Sequence, residues 1–157
     1  MLRKTLLSAL GLLLGVNLLQ ADEASFNRVK IPDGSGHQTK AVLTFSDPDR
    51  AIRIVPVKGD RVSIPYSQID RCSYEFTRKH RVASGIIVGS VSPLAGLIVF
   101  LTHSRSHWLE VDYHAQDLPK VFVVRMDKRD YVHVLEALKA HTGIEAEVLG
   151  NANKRTD

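Results

Sequence analysis

The histidines near the middle of the chain come closest to metal-binding spacing. His103 and His107 lie four residues apart, His80 precedes an uncharged stretch, and His114 follows it. If that stretch folds back on itself, His80 and His103 approach each other. However, a His-x3-His pair supports zinc binding best on a helix, and no cysteine or well-placed carboxylate completes a tetrahedral set. We therefore expect a solvated basic rim, with no metal and no cofactor.

Glu110 and Asp112 are the best candidates for acid–base chemistry, because they are two carboxylates on one face of a predicted strand. A water-facing strand surface produces the same spacing, and we interpret the pair in that way. The serines of the uncharged stretch lack the context of a nucleophile elbow. Its glycines are embedded in apolar sequence and do not form a phosphate-cradling loop before a helix. No catalytic set is recognisable, and we expect no enzyme.

The uncharged stretch runs from Val82 to Thr102 and is 21 residues long. "RKHR" precedes it and "HSRSH" follows it. Basic residues at both ends are typical of a segment that enters and leaves a membrane surface on the same side, near anionic headgroups. Pro93 and neighbouring glycines and serines divide the stretch into two arms, each too short to cross a bilayer. The favoured interpretation is a hairpin or broken helix that inserts partly into one leaflet.

Two alternatives to this insertion stay open. The stretch could be ordinary core or be buried in a dimer, or it could be a true span, which is disfavoured because strands of one domain lie on both sides. Trp108 suits a membrane boundary, where one end of the ring is apolar and the other wet, but it equally suits a partly buried strand. The predicted membrane-contacting residues are Arg78, Lys79, Arg81, Ile86, Ile87, Val88, Leu97, Ile98, Val99, Phe100, Arg105 and Trp108.

The N-terminus predicts export to the periplasm or cell envelope. "MLRK" is a basic n-region, "TLLSALGLLLGVNLL" is an apolar h-region, and "LQA" places a small residue at the cleavage edge. We expect a cleaved signal peptide over residues 1–21, one domain over 22–149 and a flexible tail over 150–157; an uncleaved N-terminal anchor is the alternative for the first segment. Removal of Arg3 and Lys4 would lower the formal net charge from +4 to +2. That excess is too small to indicate a nucleic acid partner.

The rest of the chain alternates apolar and polar residues with the period of a β-strand. Turn residues punctuate about seven short strands, which predicts an antiparallel meander. The single cysteine, Cys72, fits this alternation, and we interpret it as a buried strand residue rather than a reactive thiol. The predicted inward positions are Ala41, Leu43, Phe45, Ile52, Ile54, Val62, Ile64, Tyr66, Cys72, Tyr74, Phe76, Leu109, Val111 and Tyr113.

One amphipathic helix is predicted within "DKRDYVHVLEALKAHTG". Asp127 is the predicted N-cap, and Asp130 in the first turn complements the positive end of the helix dipole. Gly143 is placed where a C-terminal cap belongs. The apolar stripe of the helix comprises Tyr131, Val134, Leu135 and Leu138.

The order of short strands and one C-terminal helix resembles the pleckstrin-homology-like (PH-like) fold, to which GRAM-type and bacterial PH-like domains belong. "IPYSQIDRCSYE" and "HWLEVDY", followed by a helix ending in "TG", are also similar to exported bacterial proteins of this kind whose function is uncharacterised. The resemblance covers roughly residues 28–143. It implies a mainly β protein in which a bent antiparallel barrel is capped by the helix, with the uncharged stretch inserted between the fifth and sixth strands.

PH-like folds mostly bind lipid headgroups or peptides, although a fold alone does not assign a function. Together with the basic and apolar residues, the resemblance predicts a non-catalytic module of the bacterial cell envelope that binds a membrane surface, a lipid or a protein. Anionic lipid or an envelope protein is the expected partner. The alternative is a structural subunit that self-associates, or binds an envelope partner, through residues 82–102.

Overall fold

The computed structural model describes residues 23–32, 37–82, 86–87 and 98–150, without the side chains of 79–82, 86–87 and 98–103. The predicted signal peptide, the centre of the uncharged stretch and the tail from residue 151 lie outside the described residues. The predictions made for those segments therefore stay predictions.

Strands dominate the described residues, and one helix follows them near the C-terminal end, as predicted. A 3-10 turn at Tyr66–Gln68 joins the fourth strand to the fifth. The elements are β1 (Glu23–Pro32), β2 (Gln38–Ser46), β3 (Ala51–Pro56), β4 (Val62–Pro65), β5 (Ile69–Val82), β6 (Ile86–Ile87), β7 (Ile98–Ala115), β8 (Leu118–Met126), α1 (Tyr131–Thr142) and β9 (Glu147–Leu149).

The strands form one curled, open sheet in the order β4-β3-β2-β1-β8-β7-β5-β9, with β6 paired to β8 beside this path. Neighbours pair antiparallel, except that β9 lies parallel to β5 and β6 parallel to β8. Two meanders are thus joined where β1 pairs with β8. This order, with a helix after the last long strand, confirms the predicted fold class and is consistent with a PH-like fold.

The core forms where the alternating apolar residues of both meanders meet the helix. Leu43, Phe45, Leu109 and Val111 are at most 1% exposed, and they belong to one cluster with Leu138 of α1. The period-two prediction is therefore confirmed for most strands, because each inward residue is covered by the opposite meander or by α1. It is wrong for Phe76, which is 46% exposed just before the irregularity in the pairing of β5 with β7.

The ladder between β5 and β7 continues into the uncharged stretch. Val82 pairs with Ile98, and Lys79 pairs with Leu101. The prediction that the uncharged stretch is an insertion between two strands is therefore wrong for its two ends, which take part in the pairing. β-branched and aromatic residues such as Ile98 and Phe100 favour strands, which explains why the pairing of β5 with β7 extends into the uncharged stretch. Both ends of the stretch accordingly leave the sheet at the same place, as expected for a hairpin rather than a straight span.

The N-cap of the helix lies three residues later than predicted. Oδ1 of Asp127 accepts a hydrogen bond from the amide of Arg129 at 2.9 Å, and the Asp127 carbonyl accepts the Tyr131 amide at 3.0 Å. The turn so formed makes Asp130, not Asp127, the N-cap residue. The C-terminal prediction is confirmed: Gly143 adopts a left-handed φ of 75° and its amide donates to the Lys139 carbonyl.

Candidate anion-binding cavity

A surface cavity of about 380 Å³ lies where β1, β7 and β8 meet the turn before α1. We call it the basic cavity. Its wall also contains Phe76, Ser104, Ser106, His107, Met126 and Asp127. Its five basic residues are Arg28, Lys30, Arg105, Arg125 and Lys128.

A bulge in β1 places Arg28 and Lys30 at this cavity. Phe26 pairs with Leu43 and Val29 with Ala41, so β1 advances three residues while β2 advances two. The extra residue shifts the alternation by one position. Val29 and Ile31 consequently take the buried positions, and Arg28 and Lys30 are exposed.

A larger bulge in β7 supplies the opposite wall. Thr77 pairs with Ser106 whereas Lys79 pairs with Leu101, so β7 advances five residues while β5 advances two. The extra residues lie between the sheet and the extension of the β5–β7 ladder. Ser104 and Arg105 belong to this bulge and line the cavity. The cavity therefore lies at the base of the uncharged stretch.

The floor of the cavity forms where β1 and β8 separate. Their register pairs are Lys30 with Arg125 and Val29 with Met126, after which the chain leaves β8 for the turn before α1. Lys128 lies in that turn. Cations from three separate segments thus converge because two strands diverge beside a turn.

Arg28 is the only cavity cation with an ion pair among the described residues. Its Nε donates to Oδ2 of Asp130 at 2.7 Å, and its Nη2 donates to Oδ1 of the same carboxylate. This bidentate contact lowers the pKa of Asp130 and raises that of Arg28. The pair joins β1 to the N-cap of α1 and fixes the side of the cavity next to the helix.

The charges of the other four cations are not neutralised by an ion pair with a described residue, so they can attract an anionic ligand. Nη1 of Arg125 donates to the neutral Oε1 of Gln38 at 2.8 Å. The guanidinium of Arg105 lies 5.9 Å from the centre of the Phe76 ring, a cation–π contact that does not neutralise its charge. Lys30 and Lys128 are exposed and have no ion pair with a described residue. In the cavity wall only Asp127 carries a negative charge.

His107 joins the cavity to an aromatic cluster under α1. Its ring stacks on Tyr131, with centroids 3.8 Å apart, and on Phe76 at 4.5 Å. Its Nδ1 shares a hydrogen bond of 2.8 Å with the hydroxyl of Tyr74. Burial lowers the pKa of His107, although the charge of Asp127 acts in the opposite direction.

The structure places two of the predicted membrane-contacting cations with described side chains. Arg105 lines the basic cavity, and Arg78 is exposed on β5 near the β7 bulge. The backbones of Lys79, Arg81, Ile86, Ile87, Ile98, Val99 and Phe100 are described without side chains, and Val88 and Leu97 lie outside the described residues.

Trp108 does not belong to the predicted membrane-contacting residues. It has no exposed surface, and its Nε1 donates to the Thr77 carbonyl at 3.3 Å. A side chain that is wholly covered has no surface to offer to lipid, so the alternative of a buried strand residue applies.

The acid–base candidates do not form a water-facing surface either. Glu110, on the same face of β7 as Trp108, is 7% exposed, and Asp112 is half-buried beside Arg71. Nε of Arg71 donates to Oδ2 of Asp112 at 3.0 Å. Burial raises the pKa of Asp112, and the contact with Arg71 lowers it. Both faces of this part of β7 are therefore buried, which strand alternation alone does not reveal.

The histidines are dispersed in the described residues. His114 pairs with Asp70, and His107 lies in the aromatic cluster. Where side chains are described, no three His, Cys, Asp or Glu residues are grouped to hold a metal ion. The side chains of residues 80 and 103 are not described, so the predicted approach of these two histidines is not tested.

Sequence reasoning missed most of the cavity. Arg28, Lys30, Arg125 and Lys128 stand on separate segments, and a small net charge gave no sign that they cluster. A usable signal was present in Arg28 and Lys30, which alternate with Val29 and Ile31. Basic residues at alternate positions mark one strand face, and they direct attention to whatever that face meets.

Comparisons with known proteins give little information about this chain. No protein-family model matches it, and no curated protein matches it. A chain in the solved "Structure of the Spt16D Pob3N heterodimer" aligns with a TM-score of 0.47 and 12% sequence identity. The alignment covers 87% of this chain and 60% of that chain. Within the part of the chain that the structure describes, no helix has the length and apolarity needed to cross a bilayer.

Proposed function

We propose that this chain is a non-catalytic binding module of the bacterial cell envelope, which docks on an anionic membrane surface through the basic cavity. The observation that supports the proposal is the convergence of five cations on one cavity whose wall contains a single carboxylate. Clustered cations with few carboxylates attract anionic headgroups. Export of the chain, which the N-terminus predicts, would bring it to that surface.

The uncharged stretch would contribute the apolar part of the contact. Val82 pairs with Ile98, so both arms of the stretch start from the same place beside the β7 bulge. Arg105 of this bulge lines the cavity. Headgroup contact by the cavity and partial insertion of the arms are therefore compatible with one orientation of the protein on one leaflet.

Both parts are needed for lasting attachment. A basic residue near an anionic membrane contributes about 1 kcal/mol, so the four cavity cations without an ion pair to a described residue would supply on the order of 4 kcal/mol at low salt. That sum corresponds to weak, reversible association. Burial of apolar side chains in the leaflet would add roughly 25 cal/mol per Å².

Vesicle co-sedimentation of the purified protein tests the proposal. We expect binding to vesicles of phosphatidylcholine with phosphatidylglycerol, weaker binding as salt rises, and little binding to phosphatidylcholine alone. Replacing Lys30 and Lys128 by Gln removes two cavity charges and should weaken binding about 30-fold, from about 1 kcal/mol each. The matched control replaces Lys58 and Arg61 by Gln, because both are exposed and lie outside the cavity wall.

Three outcomes contradict the proposal. The protein could stay with the soluble fraction on anionic vesicles at low salt, bind both vesicle types equally, or lose as much affinity in the control as in the cavity variant. If it stays soluble and sediments as a dimer in analytical ultracentrifugation, the alternative of a self-associating structural subunit replaces the membrane module.

A further inference from the structure

The charges around the basic cavity exceed what a singly charged ligand would neutralise. Asp130 neutralises Arg28 through its bidentate contact. Asp127 offsets one more of the remaining cations. Three positive charges are left among Lys30, Arg105, Arg125 and Lys128, all around one cavity.

The hydrogen-bond donors of the cavity suit a group with several oxygens. The guanidiniums of Arg105 and Arg125 are planar forks that bind phosphate oxygens in pairs, and the lysine ammoniums are compact point charges. Ser106 adds a hydroxyl whose described contact, to the Ser104 carbonyl, is long at 3.4 Å. A ligand oxygen could replace that contact at little cost.

The size of the cavity and its apolar wall indicate that a bound phosphate would carry an organic group. A cavity of about 380 Å³ falls in the range of small-molecule sites, which start near 300 Å³. Phe76 and Met126 form an apolar part of its wall. Phe76 is 46% exposed, so part of its ring is available to the organic group of a ligand.

We infer that the basic cavity binds a phosphate monoester, as the terminal phosphate of a lipid headgroup or of a small soluble compound. A monoester carries about −1.5 to −2 charges at neutral pH and offers three terminal oxygens. A phosphodiester, such as the headgroup of phosphatidylglycerol, carries one charge. The inference rests on the proposed function, because it names the ligand class of the same cavity.

The test compares vesicles that contain phosphatidic acid with vesicles that contain phosphatidylglycerol, at matched surface charge. Glycerol 3-phosphate, titrated by isothermal calorimetry, probes the soluble form. We expect about fivefold tighter binding to phosphatidic acid, because the additional charge in the cavity corresponds to about 1 kcal/mol. The Lys30→Gln, Lys128→Gln double variant should lose this preference, and the Lys58→Gln, Arg61→Gln control should keep it.

The outcomes separate the two proposals. If glycerol 3-phosphate binds and its binding depends on Lys30 and Lys128, the inference is supported and the ligand is a soluble phosphate monoester. If the protein prefers phosphatidic acid but does not bind glycerol 3-phosphate, the inference is supported and the ligand is a lipid headgroup. Equal binding to both kinds of anionic vesicle, with no binding of glycerol 3-phosphate, overturns the inference and leaves membrane docking intact. Binding to neither vesicle with strong binding of glycerol 3-phosphate overturns docking alone. No binding of any probe overturns both.

Discussion

Arg28 and Asp130, 102 residues apart in sequence, join the first strand to the N-cap of the helix through a bidentate contact in which Nε of Arg28 lies 2.7 Å from Oδ2 of Asp130. The contact exists because the bulge in β1 moves Arg28 off the core face. Asp130 is 8% exposed, so its carboxylate depends on this partner. One residue pair therefore links the cavity wall to the packing of α1.

Replacing Asp130 by Asn should destabilise the protein at neutral pH. Because Arg28 holds the folded pKa of Asp130 below its usual 3.8, the stability from the pair is present above about pH 3.8 and is lost as pH falls through the folded value. The difference in Tm between Asp130→Asn and the unsubstituted protein should therefore narrow below pH 4. Thermal melts against pH measure this. Glu136→Gln, an exposed change on the same helix, is the control, and a constant difference down to pH 2.5 would contradict the expectation.

Replacing Leu138 by Ala should lower the free energy of unfolding by about 2–5 kcal/mol, because Leu138 is fully buried and the smaller side chain leaves a cavity. Leu135, another residue of the predicted apolar stripe, is only partly buried. Val132, which is 44% exposed, provides the control, and Val132→Ala should change stability by less than about 0.5 kcal/mol. Urea unfolding of both variants compares them. Similar small losses would mean that α1 does not close the core.

His107 should make the fold sensitive to mild acid. Burial lowers its folded pKa below the ordinary 6.5, so the unfolded chain takes up the proton first. Stability is therefore present above pH 6.5 and declines as pH falls below it. Besides the rings of Tyr74, Phe76 and Tyr131, the charged groups near His107 are the cations of the cavity and Asp127.

The slope of Tm against pH between 6.5 and 5 should be smaller in His107→Gln than in the unsubstituted protein. Comparing slopes separates proton uptake from the loss of stacking, which shifts Tm equally at every pH. Equal slopes in the two proteins would show that His107 does not contribute to the pH dependence of stability. A bound phosphate should raise the pKa of His107, which an NMR titration of its ring protons can measure.

Cys72 should resist thiol reagents in the folded protein. It is 1% exposed, and burial raises the pKa of its thiol to about 12, so almost no thiolate forms near neutral pH. We expect no reaction with 5,5′-dithiobis-(2-nitrobenzoic acid) under native conditions and full reaction in guanidinium. Rapid native reaction would mean that β5 opens far more often than a core strand should.

Replacing residues 88–97 by a short Gly-Ser linker should leave the fold intact and weaken vesicle binding. Loop closure depends only slowly on length, and the described pairing of Val82 with Ile98 is retained. Circular dichroism and melting report the fold, and co-sedimentation reports binding. A molten product would show that these residues belong to the core, and unchanged binding would confine membrane contact to the cavity.

The sequence predicted the features that depend on local periodicity. Leu43, Leu109 and Leu138 were placed in the core because strand and helix periods are read along the chain itself. Gly143 was recognised as a cap because few other residues tolerate its left-handed φ.

The features that sequence reasoning missed depend on bulges and on contacts between distant segments. The β1 bulge changes which face Arg28 occupies, and no residue type in "FNRV" announces it. The β7 bulge likewise brings Arg105 to the strand end that carries Arg125. Trp108 and Glu110 are buried on the second face of β7. Burial of that face requires other parts of the chain to cover it, and the alternation of apolar and polar residues along a strand does not predict this. Only the fold therefore shows that these cations meet in one cavity.

The most direct test of the basic cavity is an NMR titration of the isotope-labelled protein with bicelles that contain phosphatidylglycerol, recording backbone amide shifts and broadening. The account predicts that the perturbations concentrate at Lys30, Arg105, His107 and Lys128, and that they fade as salt rises. Perturbations centred instead on the turn around Leu118, which is exposed and lies at the opposite end of the β7–β8 ladder from His107, would contradict it, as would no perturbation at low salt.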